Sequence, residues 1–329
     1  MRRTAPVAAV AALGFASAHA AGNELESRVT ASDGLVAYSV PMVADVQAPC
    51  CFTIHGRKVA QKGCNLDGRE ANFNIIDDDV GRAAFDDTLT VYVRVEKGQI
   101  KRVRALGASC PIETTSKVRW IEPVVPASSI AMLSALVDRN ASGDPDDQGL
   151  DAIAYHAGAE ATRALAVHAE RSHRREEREQ ALFWLGQTRG VEGADVIEHY
   201  ATTDADPKLR EQAIFALSQS KAPDAYAHIL AIAHKDPAKH VRGQAYFWLA
   251  QMNDTRAKDD IIAALKSESS DDVREEIVSA LSQLEDNGDD ALISVLRGDF
   301  PLEVKKQALF WLGQSGSAEA MAYFDEALK

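Results

Sequence analysis

Apolar residues in the second half of the chain recur with the period of an α-helix, and the same phase returns five times. The segments are EREQALFWLGQTRG, LREQAIFALSQSK, VRGQAYFWLAQMN, VREEIVSALSQLE and VKKQALFWLGQSG. Take the basic residue of each (Arg178, Arg210, Arg242, Arg274 and Lys305) as position zero. At about 100° per residue, positions +3, +4, +7 and +8 share one face. That face reads Ala181/Leu182/Leu185/Gly186 in the first copy and Ala308/Leu309/Leu312/Gly313 in the last. Leucine stands at +7 in all five copies and +8 is always small. The pattern predicts five helices with this face against a partner helix. Shorter amphipathic segments between them, GADVIEHYA, DAYAHILAIA, AKDDIIAALK and DDALISVLR, are the partners, and AEAMAYFDEALK is expected to cap the array.

The first half follows a different rhythm. LTVYVRVEKGQIKRVRAL is two alternating runs around Glu96-Lys97-Gly98, a hairpin signature. GLVAYSVPMV and SKVRWIEPV add strands, and EPVVPASS leads into the first helices. SSIAMLSALVD and GLDAIAYHAG read as a degenerate first helix pair, with AEATRALAVHAERSH as the next outer helix. The expected organisation is a leader over 1–20, a β-rich domain over 21–125, a linker with a degenerate helix over 126–149 and helical repeats over 150–329. The fold class is an α-solenoid preceded by a small β-rich domain.

Column by column, the repeat is tighter than its hydrophobic pattern. The basic residues are spaced 32, 32, 32 and 31 apart. Nine residues after each comes a glutamine: Gln187, Gln219, Gln251, Gln283 and Gln314. Six residues before the last four comes an acid: Asp204, Asp236, Glu268 and Asp299. Each unit is a helix pair that cannot bury its stripe alone and must stack on its neighbours. These residues resemble HEAT repeats, in the short form also found in bilin-lyase-type proteins. The resemblance implies that the acid and the Arg six positions on link the turn to the second helix, as Asp204/Arg210, Asp236/Arg242, Glu268/Arg274 and Asp299/Lys305. The lysine departs from the pattern, since a point charge cannot reproduce the guanidinium fork.

Positions +2 and +9 point away from the packed face. They carry Gln180, Gln212, Gln244, Glu276 and Gln307, together with the five glutamines above. Aromatics at +5 (Phe183, Phe215, Phe247, Phe310) and +6 (Trp184, Trp248, Trp311) flank this polar line. At +6 tryptophan alternates with Ala216 and Ala280. Two readings follow. Either the rings lock neighbouring repeats together and are mostly buried, or part of each ring borders a groove floored by amides. Glutamine both donates and accepts, so such a groove can hold a peptide backbone without reading its side chains. Armadillo repeats use an asparagine ladder in this way, an analogy only.

All four cysteines, Cys50, Cys51, Cys64 and Cys110, lie in the front half. An even count in an exported domain favours two disulfides. Adjacent cysteines are poorly placed to bridge each other, which leaves two pairings, and Cys51–Cys64 with Cys50–Cys110 is preferred. A metal site built from CCFTIH with Cys64 and Cys110 is the alternative, at a spacing no standard zinc pattern uses.

The leader MRRTAPVAAVAALGFASAHA has Arg2 and Arg3, an apolar run and Ala18-His19-Ala20, the form of a secretory signal. Its removal takes away two arginines and no acid, so the formal charge goes from −13 to −15. That balance disfavours nucleic acid and anionic membranes. A periplasmic or secreted protein is expected, cleaved after Ala20 and without membrane insertion.

No Walker loop, G-x-S-x-G, H-E-x-x-H or paired C-x-x-C occurs, and GQSGS closes a repeat helix. The histidines, His156, His168, His173, His199, His228, His234 and His240, are too scattered to read as ligands. DRNASGDPDDQG opens like a calcium loop at Asp138-x-Asn140-x-Ser142, but its twelfth position is Gly149, where a bidentate acid is needed. It and NIIDDDVGR read as solvated acidic turns. No cofactor, metal or catalytic residue is expected. The sequence therefore describes an exported, non-enzymatic interaction scaffold with a protein or extended peptide as partner. The alternative is a bilin-lyase-like cofactor handler, or an enzyme with its chemistry in the cysteine-containing domain.

Overall fold

A computed structural model describes residues 20–55, 58–68, 86–139, 149–171, 174–285 and 288–327. The leader up to residue 19, the whole acidic turn at 74–82, the calcium-loop-like stretch at 140–148 and His173 lie outside the described residues. The chain forms two compact units, one ending at Trp184 and one beginning at Leu185.

The first unit is built on a four-stranded sheet ordered β6-β5-β1-β8. Strand β1 (Gly34–Pro41) pairs antiparallel with β5 (Thr88–Glu96) and parallel with β8 (Val118–Trp120). The expected hairpin joins β5 to β6 (Gln99–Gly107) through Lys97 and Gly98, whose φ values of 53° and 69° define a two-residue turn of the I′ kind. Asp33 accepts both backbone N–H groups of that turn at 2.8 Å, which lowers its pKa. A second hairpin, β2 (Cys51–His55) and β3 (Lys58–Lys62), and a short parallel pair, β4 (Cys64–Asn65) with β7 (Ile112–Glu113), complete the β structure.

Strand β1 is buried on both sides, which is why its sequence runs apolar instead of alternating. One side, with Leu35 and Ala37, faces a core shared with Phe52, Tyr92, Leu106 and all four cysteines. The cysteines form Cys50–Cys110 and Cys51–Cys64, with Cα separations of 5.5 and 5.2 Å, in the preferred pairing. Beyond them the same sheet side carries arginines that hold a loop by its carbonyls. Arg94 donates to Leu66 O and Asp67, Arg102 to Gly68 O and Arg104 to Asn65 O.

The other side meets helices. A helix over 20–29, α1, was not legible in the sequence; it buries Leu25 and Val29. Arg119 of β8 donates to its last carbonyls, Arg28 O and Val29 O. Tyr38 reaches Ser129 of α2 (Pro126–Arg139) at 2.8 Å, and Ser129 reaches Nε2 of His156 at 2.8 Å, just past α3 (Gly149–Tyr155). Nδ1 of His156 lies 2.7 Å from Ala152 O. A carbonyl only accepts, so Nδ1 carries the proton and Nε2 accepts. Ser129 therefore donates to His156 and accepts from Tyr38, a fixed order in a dry interior. Burial pushes the Tyr38 phenol pKa well up. His156 is a core residue. Helices α4 (Ala159–Arg171) and α5 (Arg175–Thr188) follow.

The second unit is a run of helix pairs: α6 (Gly190–Thr203) with α7 (Pro207–Gln219), α8 (Ala225–Lys235) with α9 (Lys239–Gln251), α10 (Ala257–Ser267) with α11 (Asp271–Ser282), and α12 (Gly288–Arg297) with α13 (Leu302–Ser315), followed by α14 (Ala318–Ala327). The second helices also pack on one another, α7 on α9, α9 on α11 and α11 on α13. Leu185, Leu217, Leu249, Leu281 and Leu312 at +7 are all fully buried. The small residue at +8 serves a different neighbour from the one expected. A Cβ on Gly186 would lie 2.2 Å from Ala216 O, so it admits the next second helix, α7, and not only the paired helix.

The acid–base columns also pair differently from the expectation. Arg210 donates through Nε and Nη2 to both carboxylate oxygens of Asp236, at 2.7 and 2.8 Å, and through Nη1 to Asp204 O. Arg242 repeats this with Glu268 and Asp236 O. Each arginine thus grips the acid of the following repeat and only the carbonyl of the acid six residues before it. The acids cap their own turns as well: Asp236 accepts from Ala238 N–H and Glu268 from Ser270 N–H. Ser270, the N-cap residue of α11, makes no side-chain cap of its own. The ladder stops at Arg274, which turns to Asp271 in its own first turn, leaving Glu268/Arg274 and Asp299/Lys305 without the expected link.

At the far end the packed face is open. Position +4 is buried at Ile214, Tyr246 and Val278, yet Leu309 is 46% exposed, with Phe310 at 55% and Met321 at 56%. Helix α14 packs on α12 and α13 but buries only Ala320, so it covers far less than a cap would.

Two stability predictions follow from this packing. Gly186→Ala should lose about 1–3 kcal/mol, because the obstacle is backbone. Gly313→Ala, with open space around the same column, should gain up to about 0.5–1 kcal/mol. Asp236→Asn strands a buried guanidinium and should lose about 3–5 kcal/mol, whereas Arg274→Ala, whose partner is solvent-exposed, should lose less than about 1. Denaturant midpoints of the four variants check all of these.

Candidate interaction surface

Most residues of the two amide columns stay out of the packing. Gln180, Gln212, Gln244, Gln219, Gln251, Gln283 and Gln314 are exposed, while Gln187 and Gln307 are half-buried. Neighbouring repeats touch along the strip, since Gln251 Nε2 donates to Gln283 O at 3.4 Å. Gln219 and Gln283 donate to the hydroxyl of the residue before them, Ser218 and Ser282, which holds their amides near the helix ends.

The rings satisfy neither of the two simple readings. Phe183, Trp184, Phe215, Phe247, Trp248 and Trp311 are half-buried, and only Phe310 is exposed. Trp248 packs on Phe215 of the preceding repeat with centroids 4.7 Å apart, so rings do bridge repeats. This contact is large against large, where the alternation at +6 suggested large against small. Within a helix the +5 and +6 rings meet edge-on, at 5.0 Å for Phe247–Trp248 and 5.4 Å for Phe310–Trp311. Trp248 and Phe215 thus bridge two repeats while both stay partly exposed.

One position breaks the strip. Glu276 replaces glutamine at +2 and lies over Gly243, where any Cβ would collide with its carboxylate. Its Oε2 is buried with no hydrogen-bond partner. Burial raises its pKa; Asp272 and Glu211 add to the rise, against His240 and Arg242. His240 is itself 3.0 Å from Glu211.

The sequence reading also missed a polar cleft of about 350 Å³ along the ladder, lined by His234, Asp236, Arg242, Tyr246 and Glu268 among others. Tyr246 occupies the +4 position, where the other repeats carry Leu, Ile or Val, and that exception was the available signal. Burial and then the Glu268 charge push its phenol to about 12. The cleft's two carboxylates are already committed to Arg210 and Arg242. In the other unit every cysteine is tied in a disulfide, so the thiolate ligands of the alternative metal site are absent.

Glu276→Gln should raise stability at neutral pH by removing an ionised carboxylate from a dry site. A folded pKa above the unfolded one stabilises below the unfolded value and loses that contribution as pH rises through the folded value. The advantage of the variant should therefore vanish as pH falls below about 4.3, the unfolded glutamate value. Thermal melts from pH 3 to 8 would show the convergence.

The family model for HEAT repeats matches residues 162–246 and 226–292, from α4 to α12. No curated protein matches the chain. No helix among the described residues is long and apolar enough to cross a membrane. The region from α4 to α12 is thus a run of HEAT-like repeats, an architecture that points to protein–protein interaction.

Proposed function

We propose that the chain is an exported, non-enzymatic scaffold that holds an extended segment of another envelope polypeptide along the amide strip. The observation that carries this reading is the exposed glutamine row on successive second helices, bordered by half-buried rings. Second helices packed about 8–10 Å apart offer one amide for about every three residues of extended chain, at about 3.3 Å per residue. Each amide can donate to a carbonyl and accept from an N–H, and the ring edges supply apolar contact between those points. The leader, the strong negative charge and two disulfides in the front unit fit an oxidising compartment outside the cytoplasm.

Affinity capture from an envelope extract, with cross-link mapping, tests the reading. The wild-type chain should retain a polypeptide cross-linked beside Gln219, Gln251 and Gln283. Changing those three residues together to Ala should cut retention at least about tenfold, since several backbone hydrogen bonds are lost at once. A folded triple variant that captures as well as wild type would sink the proposal.

A further inference from the structure

Three helices of the first unit converge on a histidine that the interaction surface does not use. Asp138 stands at the end of α2, His168 on α4 and Glu177 in the first turn of α5. Nδ1 of His168 is 2.9 Å from Oε1 of Glu177 and 3.9 Å from Oδ1 of Asp138. The three ligand atoms all lie within 4.8 Å of one another. His168 is 3% exposed and Glu177 9%, whereas the Asp138 side chain is 69% exposed, so the cluster opens to solvent on one side only. Arg174 donates to the other oxygen of Glu177, Oε2, at 2.5 Å and fixes that carboxylate with Oε1 turned to the histidine.

We infer that His168, Glu177 and Asp138 form a binding site for a first-row divalent cation of the zinc class, independent of the repeat surface. The geometry argues for it. With sides of 2.9 and 3.9 Å and a third no longer than 4.8 Å, the point equidistant from the three atoms lies about 2.0–2.4 Å from each, the length of zinc–nitrogen and zinc–oxygen bonds. One imidazole nitrogen with two carboxylate oxygens suits zinc or manganese better than calcium, which takes oxygen alone. Water on the Asp138 side completes the shell. The local charge agrees, since two carboxylates face the imidazole.

The other ring nitrogen sets the strength. His168 Nε2 is buried without a hydrogen-bond partner, so the ring is held through Nδ1. In the metal-free state Nδ1–H donates to Glu177. When the cation takes Nδ1, the remaining ring N–H sits at Nε2, where no acceptor receives it, and some affinity is lost. The site is accordingly weaker than a zinc centre whose histidines are backed by acceptors. The calcium-loop reading that began at Asp138 fails for want of a twelfth-position acid; here the same carboxylate works with partners 30 and 39 residues further on.

Chelator-treated full-length chain titrated with zinc(II) in a calorimeter at neutral pH tests the site. One saturable equivalent is expected, with a rise in Tm. Asp138→Asn, an exposed change that leaves the fold intact, should weaken that equivalent at least about tenfold, the scale seen when a metal site loses even an outer partner. His168→Ala should abolish it. No saturable equivalent in the wild-type chain would overturn the site. So would an equivalent that Asp138→Asn leaves unchanged, which would assign the zinc to surface pairs such as His228 with Glu198.

Discussion

The repeat half depends on one guanidinium geometry: an arginine fork that closes on the carboxylate one repeat ahead. A helix pair has two apolar sides to cover and only one partner, so its stability comes from the next pair. Apolar contact alone leaves the angle between pairs loosely defined. Arg210 with Asp236, and Arg242 with Glu268, add a planar two-point contact at each junction, and the same acids cap the turn that starts the next second helix. Burying these ions is unfavourable taken alone, and it is offset because both carboxylate oxygens and all three guanidinium nitrogens find a partner. Hydrogen bonding to Asp236 raises the Arg210 pKa. Burial would raise that of Glu268, but the Ser270 N–H and Arg242 outweigh it and lower it.

Helix phase was legible because the hydrophobic effect reports directly in residue type. Leucine at +7 is buried in every copy, and the small residue at +8 is demanded at Gly186 by the backbone of the next second helix. The partner of each arginine was not legible, and the reason is arithmetic. In a repeat of 32 residues an acid six positions before one arginine is also 26 positions after the preceding one. Column patterns cannot separate pairing within a repeat from pairing between repeats; only the reach of a side chain can. Leu309 was misjudged for a related reason. Its column is buried in the inner repeats, and the last member of the column shows to solvent what the others hide.

The front unit shows another limit. The β5–β6 hairpin was legible because its turn needs two residues with positive φ and Lys97-Gly98 supplies them next to alternating strands. Strand β1 was readable as a strand, but its two-sided burial was not, since the helices on the second side include α1, which is hidden in a stretch that resembles the tail of a leader. Adjacent cysteines exclude one arrangement on geometry and leave two pairings, of which the structure has Cys50–Cys110 with Cys51–Cys64. The Asp138–His168–Glu177 cluster was beyond sequence reasoning, as its members share no spacing and meet only through the packing of three helices.

Why the chain places large aromatics on soluble helices follows from the same constraint. Positions +3, +4, +7 and +8 are spent on packing, and +2 and +9 face away. Only +5 and +6 remain at the seam between neighbouring second helices. A small residue at both positions in every repeat would leave a furrow; Trp248 against Phe215 fills it and lets the opposite ring edges reach the surface. Stability requires the inner edges of these rings, and nothing in the packing requires the outer edges or the amides beside them. Glu276 marks the conflict: where the strip takes a carboxylate in place of an amide, it collapses onto Gly243 and loses a hydrogen-bond partner. A neutral amide is the side chain that this seam tolerates while still offering both a donor and an acceptor to whatever lies along it.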